Sequence, residues 1–168
     1  MATTYTLINS NVLSSSAASI TFSSIPATYT DLVVKISTRV NYATTDIEGY
    51  LSINGTSTNY SYTLLAGSGA TASSTRASTY VPYVDDGANA TSNTFASGEI
   101  YIPSYAVSQN KPISVSSAAE NNITSNVYQY VVAGLWRNTA AITSLTFTPF
   151  SGSYVSGSSF YLYGISNA

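Results

Sequence analysis

The side chains of this chain that could do acid–base chemistry are a few carboxylates. The sequence contains no histidine and no cysteine, so the usual general base, the thiolate nucleophile and most transition-metal ligands are missing together. A serine–histidine triad is therefore excluded. Two carboxylate pairs remain: Asp46 with Glu48, which share a face if the chain is extended there, and Asp85 with Asp86, which are adjacent.

Neither pair predicts an enzyme by itself. A glycoside hydrolase needs two carboxyl groups facing each other in a cleft, whereas acidic residues at strand ends and loop tips are commonly just solvated. Residues 85–89, DDGAN, also offer calcium-type oxygen ligands and a glycine, but they lack the spacing and the terminal glutamate of an EF-hand. We therefore expect no enzymatic activity, no cofactor and no metal. A glycan-cleaving enzyme that uses Asp46 and Glu48 is kept as an alternative.

The charge content limits the possible partners. The net charge is −2 and only 7% of residues are charged. The five basic residues are scattered along the chain, whereas a nucleic-acid site needs clustered cations. The apolar runs are too short to cross a bilayer, and residues 1–16 lack the basic and apolar regions of a secretion signal. We expect neither a nucleic-acid nor a membrane partner, and a single domain over residues 1–168.

The elements that must position these residues read as short β-strands. Ser, Thr and the 15 tyrosines favour strands and turns, and apolar residues recur with period 2. In residues 31–40, for example, Leu32, Val34 and Ile36 face one way and Lys35 faces the other. About eight to ten such strands without a helix predict an all-β, antiparallel β-sandwich, and the long connections favour a jelly roll.

Several local features predict specific connections. Asn54-Gly55 predicts a two-residue hairpin turn, with the return strand at residues 59–65. Residues 66–75 have no apolar anchor and predict an exposed loop. Pro82 cannot donate to a strand ladder, so its strand is expected at a sheet edge.

Residues 127–150 contain the only tryptophan, Trp136, and follow a polar turn predicted at residues 120–125. They read as two strands joined by a turn. Both faces of the first strand are largely apolar, which is typical of a central strand covered by its own domain or by a neighbouring subunit. Tyrosine suits half-apolar, half-wet surfaces such as interfaces and sugar platforms. The predicted partner contacts are Trp136, Arg137, Tyr128, Tyr130, Asp85 and Asp86.

Four stretches make the chain similar to known proteins. They are ASITFSSIPATYTDLVV (18–34), GANATSNTFASGEIYIPSYA (87–106), AGLWRNTAAITSLTFTP (133–149) and FYLYGIS (160–166). With them the chain resembles β-rich virion proteins of tailed bacteriophages, particularly those of marine and cyanobacterial phages. Proteins of this look are small β-sandwiches of the phage particle. The resemblance implies a capsid decoration protein or a fibre-like module, and it carries over no catalytic residues.

These observations combine into one functional prediction. We expect a virion structural protein on the exterior of a phage particle, most simply a cement protein bound to the outside of the head. Such a protein stabilises the shell by binding the assembled lattice better than the loose subunits. Its partner would be a capsid or other virion protein, and it would form a symmetric homo-oligomer, with a trimer as the expected form. The alternative is a fibre-tip module that binds a receptor or glycan through aromatics converging on a groove.

Overall fold

The computed structural model describes residues 4–120, 122 and 127–166, and these form twelve strands in two antiparallel sheets with no helix. The predicted all-β sandwich is confirmed, with more strands than the sequence indicated. The strands are β1 (Tyr5–Val12), β2 (Ile20–Phe22), β3 (Asp31–Thr38), β4 (Asp46–Ile53), β5 (Tyr60–Gly67), β6 (Ala72–Ala77), β7 (Val81–Asp86), β8 (Ala96–Ile102), β9 (Lys111–Ala119), β10 (Tyr128–Trp136), β11 (Leu145–Pro149) and β12 (Ser159–Ile165).

The strand order is that of a jelly roll with two additions. The larger sheet runs β1-β12-β3-β8-β9-β10-β5-β6, and the smaller sheet runs β2-β11-β4-β7. A jelly roll places its first, eighth, third and sixth strands in one sheet and its second, seventh, fourth and fifth in the other. Without the hairpins β5–β6 and β9–β10, the remaining strands have this order. The predicted jelly roll is therefore confirmed, and the two hairpins widen one edge of the larger sheet.

Strand β7 is buried along its whole length. It pairs with β4 at the edge of the smaller sheet, yet it also contacts β8, β9, β10 and β5 of the larger sheet. The Val84 amide donates to Ser117 Oγ on β9 at 3.1 Å. A Cβ built on Gly134 of β10 would lie 3.1 Å from both methyl groups of Val81. The larger sheet therefore curls around β7, so that the edge predicted from Pro82 exists but is covered.

The core between the sheets is a chain of aromatic rings. The Phe147 ring lies 6.0 Å from Tyr83 and 5.5 Å from Phe160. Tyr154 meets Phe160 edge to face at 5.1 Å, and the hydroxyls of Tyr83 and Tyr154 form a hydrogen bond. All four rings are fully buried. Tyr83 and Tyr154 are thus packing residues of the chain itself.

The turn at Asn54 and Gly55 changes sheet and does not make a hairpin. Both residues have the expected positive φ, 51° and 68°, but β4 belongs to the smaller sheet and β5 to the larger one. The Asn54 side chain fixes this crossing, because its Oδ1 accepts from the amides of Thr143 (2.8 Å) and Ser144 (3.0 Å) and its Nδ2 donates to the Ala141 carbonyl (2.8 Å).

Residues 127–150 are likewise not a hairpin. They contain β10 of the larger sheet and β11 of the smaller one, and the connection between them carries the three residues that Asn54 holds. Period-2 alternation identifies a buried face but does not say which sheet a strand joins. Strand β10 is central as predicted, since it lies between β9 and β5, but its outer face, with Val131 and Ala133, is exposed in the single chain, and cover by a neighbouring subunit stays a prediction.

The exposed loop predicted at residues 66–75 is partly a strand. Strand β5 extends to Gly67, and β6 pairs with it along its whole length at the edge of the larger sheet. Five of the six residues of β6 are exposed, so no apolar alternation could mark it in the sequence. The polar turn predicted at residues 120–125 lies mostly outside the described residues.

Replacing Gly49 by alanine should destabilise the fold. A Cβ at this position would lie 2.4 Å from two ring carbons of Tyr83, which is fully buried and cannot move aside. We expect a loss of about 1–3 kcal/mol in the free energy of unfolding, measured by urea denaturation. The control is Gly67→Ala, where a Cβ would meet nothing within 4 Å. Equal stabilities for the two variants would contradict the tight packing at Gly49.

Candidate functional site

The six residues predicted to contact a partner lie mostly inside the molecule. Four are buried within the single chain: Trp136, Tyr130, Asp85 and Asp86. Tyr128 is half-buried, and Arg137 is exposed. In the single chain these four side chains therefore pack within the fold, with Tyr130 keeping 8% of its surface exposed. The interface itself stays a prediction.

Trp136 is buried at the end of β10, between two residues of the neighbouring strands that are themselves buried. It pairs with Tyr60 of β5 on one side and Lys111 of β9 on the other. The Lys111 ammonium is buried and donates to the carbonyls of Val107 (2.6 Å), Gln109 and Thr139 (3.4 Å). Burial lowers the pKa of Lys111. Lys111 thus holds the connections at this end of β9 and β10 together.

Asp85 is a carboxyl group buried without a close partner. It points to the core side of β7, and one of its oxygens would lie 2.6 Å from a Cβ on Gly49. Within the described residues, neither oxygen has a hydrogen-bond partner at bonding distance. Burial raises the pKa of Asp85 to about 8; the nearby Thr38 hydroxyl lowers it, and Asp86 raises it further. The carboxyl is therefore mostly neutral at pH 7, whereas a calcium ligand is deprotonated.

The segment after β7 is fixed by one arginine. The Arg39 guanidinium donates to the carbonyl oxygens of Ala88 (3.1 Å), Ala90 (3.0 Å), Thr91 (2.8 Å) and Thr94 (3.0 Å). These bonds are charge-assisted, and a guanidinium fork suits several acceptors at once. The loop that the sequence offered as a contact surface is therefore an ordered part of the fold.

A cluster of tyrosines surrounds Glu48 on the outward side of β4. The Tyr80 hydroxyl donates to Glu48 Oε2 at 2.8 Å. The Tyr80 ring lies between those of Tyr50, at 5.4 Å, and Tyr62, at 6.0 Å. Burial, followed by the hydrogen bond to Glu48, raises the pKa of Tyr80, and burial followed by the charge of Glu48 raises the pKa of Tyr62 and of Tyr130. These hydroxyls remain protonated donors at neutral pH.

The curl of the larger sheet creates this cluster. Glu48 and Tyr50 come from the smaller sheet, while Tyr62 and Tyr130 come from β5 and β10 of the larger one. The sequence placed Asp46 and Glu48 on one face, and they lie two residues apart in β4. The sequence could not predict that tyrosines from strands of the other sheet lie next to these two carboxylates. Burial raises the pKa of Asp46, and the Thr45 hydroxyl donates to it at 2.9 Å.

An open cleft of about 450 Å³ adjoins the cluster, and we call it the Tyr50 cleft. One side is formed by Tyr50 and Ser52 on the outward face of β4. The other sides come from residues 55–59, which follow β4, and from residues 78–80, which precede β7. The lining contains three tyrosines, six serines or threonines and one asparagine, but no charged residue. The cleft can therefore supply hydrogen bonds and aromatic surface to a neutral ligand.

The outer face of the larger sheet is a second exposed surface. One cross-strand row shows its character, running through the directly paired residues Lys35, Glu99, Ser116, Val131 and Leu65. Lys35 and Glu99 form an ion pair. Val131 and Leu65 are 48% and 56% exposed. Shallow grooves of about 370 and 300 Å³ run along Val131 on either side.

The described residues contain no group of three or more acidic side chains that could hold a metal ion. They also contain no helix long and apolar enough to cross a membrane.

Comparisons with known proteins give no family. No family model matches the chain, and no curated protein matches it. Among solved structures, the chain is similar to the CBM2 module of the Lactobacillus casei BL23 phage J-1 evolved Dit, at 9% identity over 89% of this chain and 69% of that one. The TM-score is 0.23. A likeness this low does not bear on fold or function.

The buried carboxyl of Asp85 should make stability depend on pH. The folded state binds its proton more tightly, with a pKa of about 8 against an ordinary 3.8. The stabilisation of the folded state by this bound proton is present in full below pH 3.8. It is lost as the pH rises through 8, by up to about 1.4 kcal/mol in the free energy of unfolding per pH unit. Between pH 5 and pH 8, the free energy of unfolding measured by urea denaturation should fall less for Asp85→Asn than for the wild type. Glu99→Gln, at an exposed site, is the control. An unchanged slope in Asp85→Asn would contradict this assignment.

Removing the Arg39 guanidinium should release the segment after β7. Arg39→Ala leaves four carbonyl oxygens without their donor, which should cost on the order of 2 kcal/mol. Hydrogen exchange read by NMR should show the amides of residues 88–94 losing protection before those of β7. The matched control is Arg76→Ala on the exposed strand β6. If both variants exchange alike, the loop does not depend on Arg39.

Proposed function

We propose that this chain is a structural protein of a tailed-bacteriophage virion that decorates the outside of the head. The observation that carries the proposal is the outer face of the larger sheet. It is a broad surface of hydroxyl and small apolar side chains, with the exposed pair Val131 and Leu65 on β10 and β5, next to the edge strand β6. The four stretches that resemble phage virion proteins favour a location on a phage particle.

The composition of this face suits a protein partner. The cores of protein interfaces are depleted in charge and keep apolar anchors within a hydrogen-bonding rim. Here the anchors are Val131, Leu65 and Ala133, all exposed, and the neighbouring outward residues of β9 include Ser114 and Ser116. The ion pair of Lys35 and Glu99 satisfies the charges on the central row. Docking on a shell protein would bury these three apolar side chains, and the two charges on the row of Val131 and Leu65 are already paired with each other.

The proposal includes a symmetric oligomer, with a trimer as the expected form. The edge strand β6 supports contact between copies, because its outer backbone edge is unpaired among the described strands and its residues are exposed. Bound at symmetric positions of the head, such an oligomer would stabilise the assembled lattice by mass action.

Placing a charge beside Leu65 on the outer face should weaken head binding. Val131→Asp puts a carboxylate where the proposal buries a methyl pair, so affinity for purified heads that lack the protein should fall by at least about tenfold. Cosedimentation with such heads, from the phage that encodes the chain, measures this, and native mass spectrometry of the same samples should show trimers.

The control is Tyr42→Asp, which changes a side chain of similar exposure, 48%, away from the larger sheet. It should bind heads as the wild type does. Circular dichroism verifies that both variants are folded. Wild-type protein that does not sediment with heads, or Val131→Asp that binds normally, would contradict the proposal.

A further inference from the structure

The Tyr50 cleft has the size and openness of a small-molecule site. Its volume of about 450 Å³ lies within the range of ligand pockets, roughly 300–1,000 Å³. It opens on the smaller sheet, so it is separate from the outer face of the larger sheet that we assign to the head. Nothing in the proposed decoration role requires it.

The lining of the cleft selects for one kind of ligand. A charged ligand would need an opposite charge, because an ion that leaves water without a partner is strongly destabilised. No residue that lines the cleft is charged. An entirely apolar ligand would leave the hydroxyls of Ser52, Thr79 and their neighbours without partners. The matching chemistry is a neutral molecule with many hydroxyl groups and an apolar C–H face, which describes a sugar ring.

The aromatic wall is held in place before any ligand arrives. Tyr50 packs on Tyr80, which stacks on Tyr62 and donates to Glu48. On the opposite side, the Tyr60 hydroxyl accepts from the Ile53 amide at 2.7 Å and lies 3.1 Å from the Thr56 hydroxyl, which holds the segment after β4. A site whose walls are already ordered loses less entropy on binding.

We propose that the Tyr50 cleft binds a neutral saccharide unit. The Tyr50 ring presents its aromatic surface to the C–H face of the sugar. Ser52 and Thr79 exchange hydrogen bonds with the sugar hydroxyls, and Asn59 offers an amide at the rim. On the virion this site would give the decoration protein an affinity for neutral surface glycans, independent of its attachment to the head.

The test is direct binding of defined sugars to the full chain. Glucose, galactose, mannose and N-acetylglucosamine, with cellobiose and chitobiose, are titrated by saturation-transfer NMR up to on the order of 10 mM, together with sialic and glucuronic acid as charged probes. At least one neutral sugar should bind. Tyr50→Ala removes the stacking surface, and Ser52→Trp fills the cleft while keeping Tyr50. Each should weaken that binding by at least about tenfold.

Tyr5→Ala is the matched control, since Tyr5 is an exposed tyrosine on β1 of the other sheet. It should bind as the wild type does, and circular dichroism verifies the fold of each variant. Three results would overturn the proposal: no neutral sugar binds the wild type, only the charged sugars bind, or either cleft variant binds as tightly as the wild type. Head binding is measured separately, so failure of this site leaves the decoration proposal standing.

Discussion

Complete burial of strand β7 is the constraint on which the rest of this structure depends. An edge strand that contains a proline is expected at the solvent, but all six residues of β7 are buried. Strand β4 pairs with one edge of β7, and β8, β9, β10 and β5 of the larger sheet cover the rest, which requires a sheet wider than a jelly roll provides. The added hairpins β5–β6 and β9–β10 supply that width. Close approach then requires small residues at the contacts, as Gly134 and Ser117 show.

The high tyrosine content follows from the way the larger sheet curls around β7. A curled sheet brings strand ends and backbone edges into the interior, where polar groups need partners. Tyrosine fills the space and carries a hydroxyl to those groups. Tyr60 accepts from the Ile53 amide, and Tyr105 donates to the Pro26 carbonyl. The low charge and high hydroxyl content that suggested an interface thus serve the core first.

The sequence predicted which side of a strand is buried more reliably than it predicted which strands lie next to each other. Alternation predicted the strands because a buried face is a local property, the long connections favoured a jelly roll, and the missing donor of Pro82 predicted the edge position. It failed where the answer depended on distant strands: the Asn54-Gly55 turn changes sheet, and β6 has no buried face to reveal it. Asp85 looked like a loop carboxylate because pairing with Ile47 and cover from the larger sheet are invisible locally. The Tyr50 cleft was missed for the same reason, although the tyrosine count pointed towards a glycan platform.

The molecule presents two separate surfaces, the outer face of the larger sheet and the Tyr50 cleft on the smaller one. In the proposed decoration role the first surface would hold the shell, which leaves the second free. An image reconstruction of the intact phage particle tests this account most directly. The expected result is density for the jelly roll on the outside of the head, with Val131 and Leu65 towards the shell and the Tyr50 cleft exposed. Density for the chain at a tail fibre, or on the head with Val131 facing solvent, would contradict it.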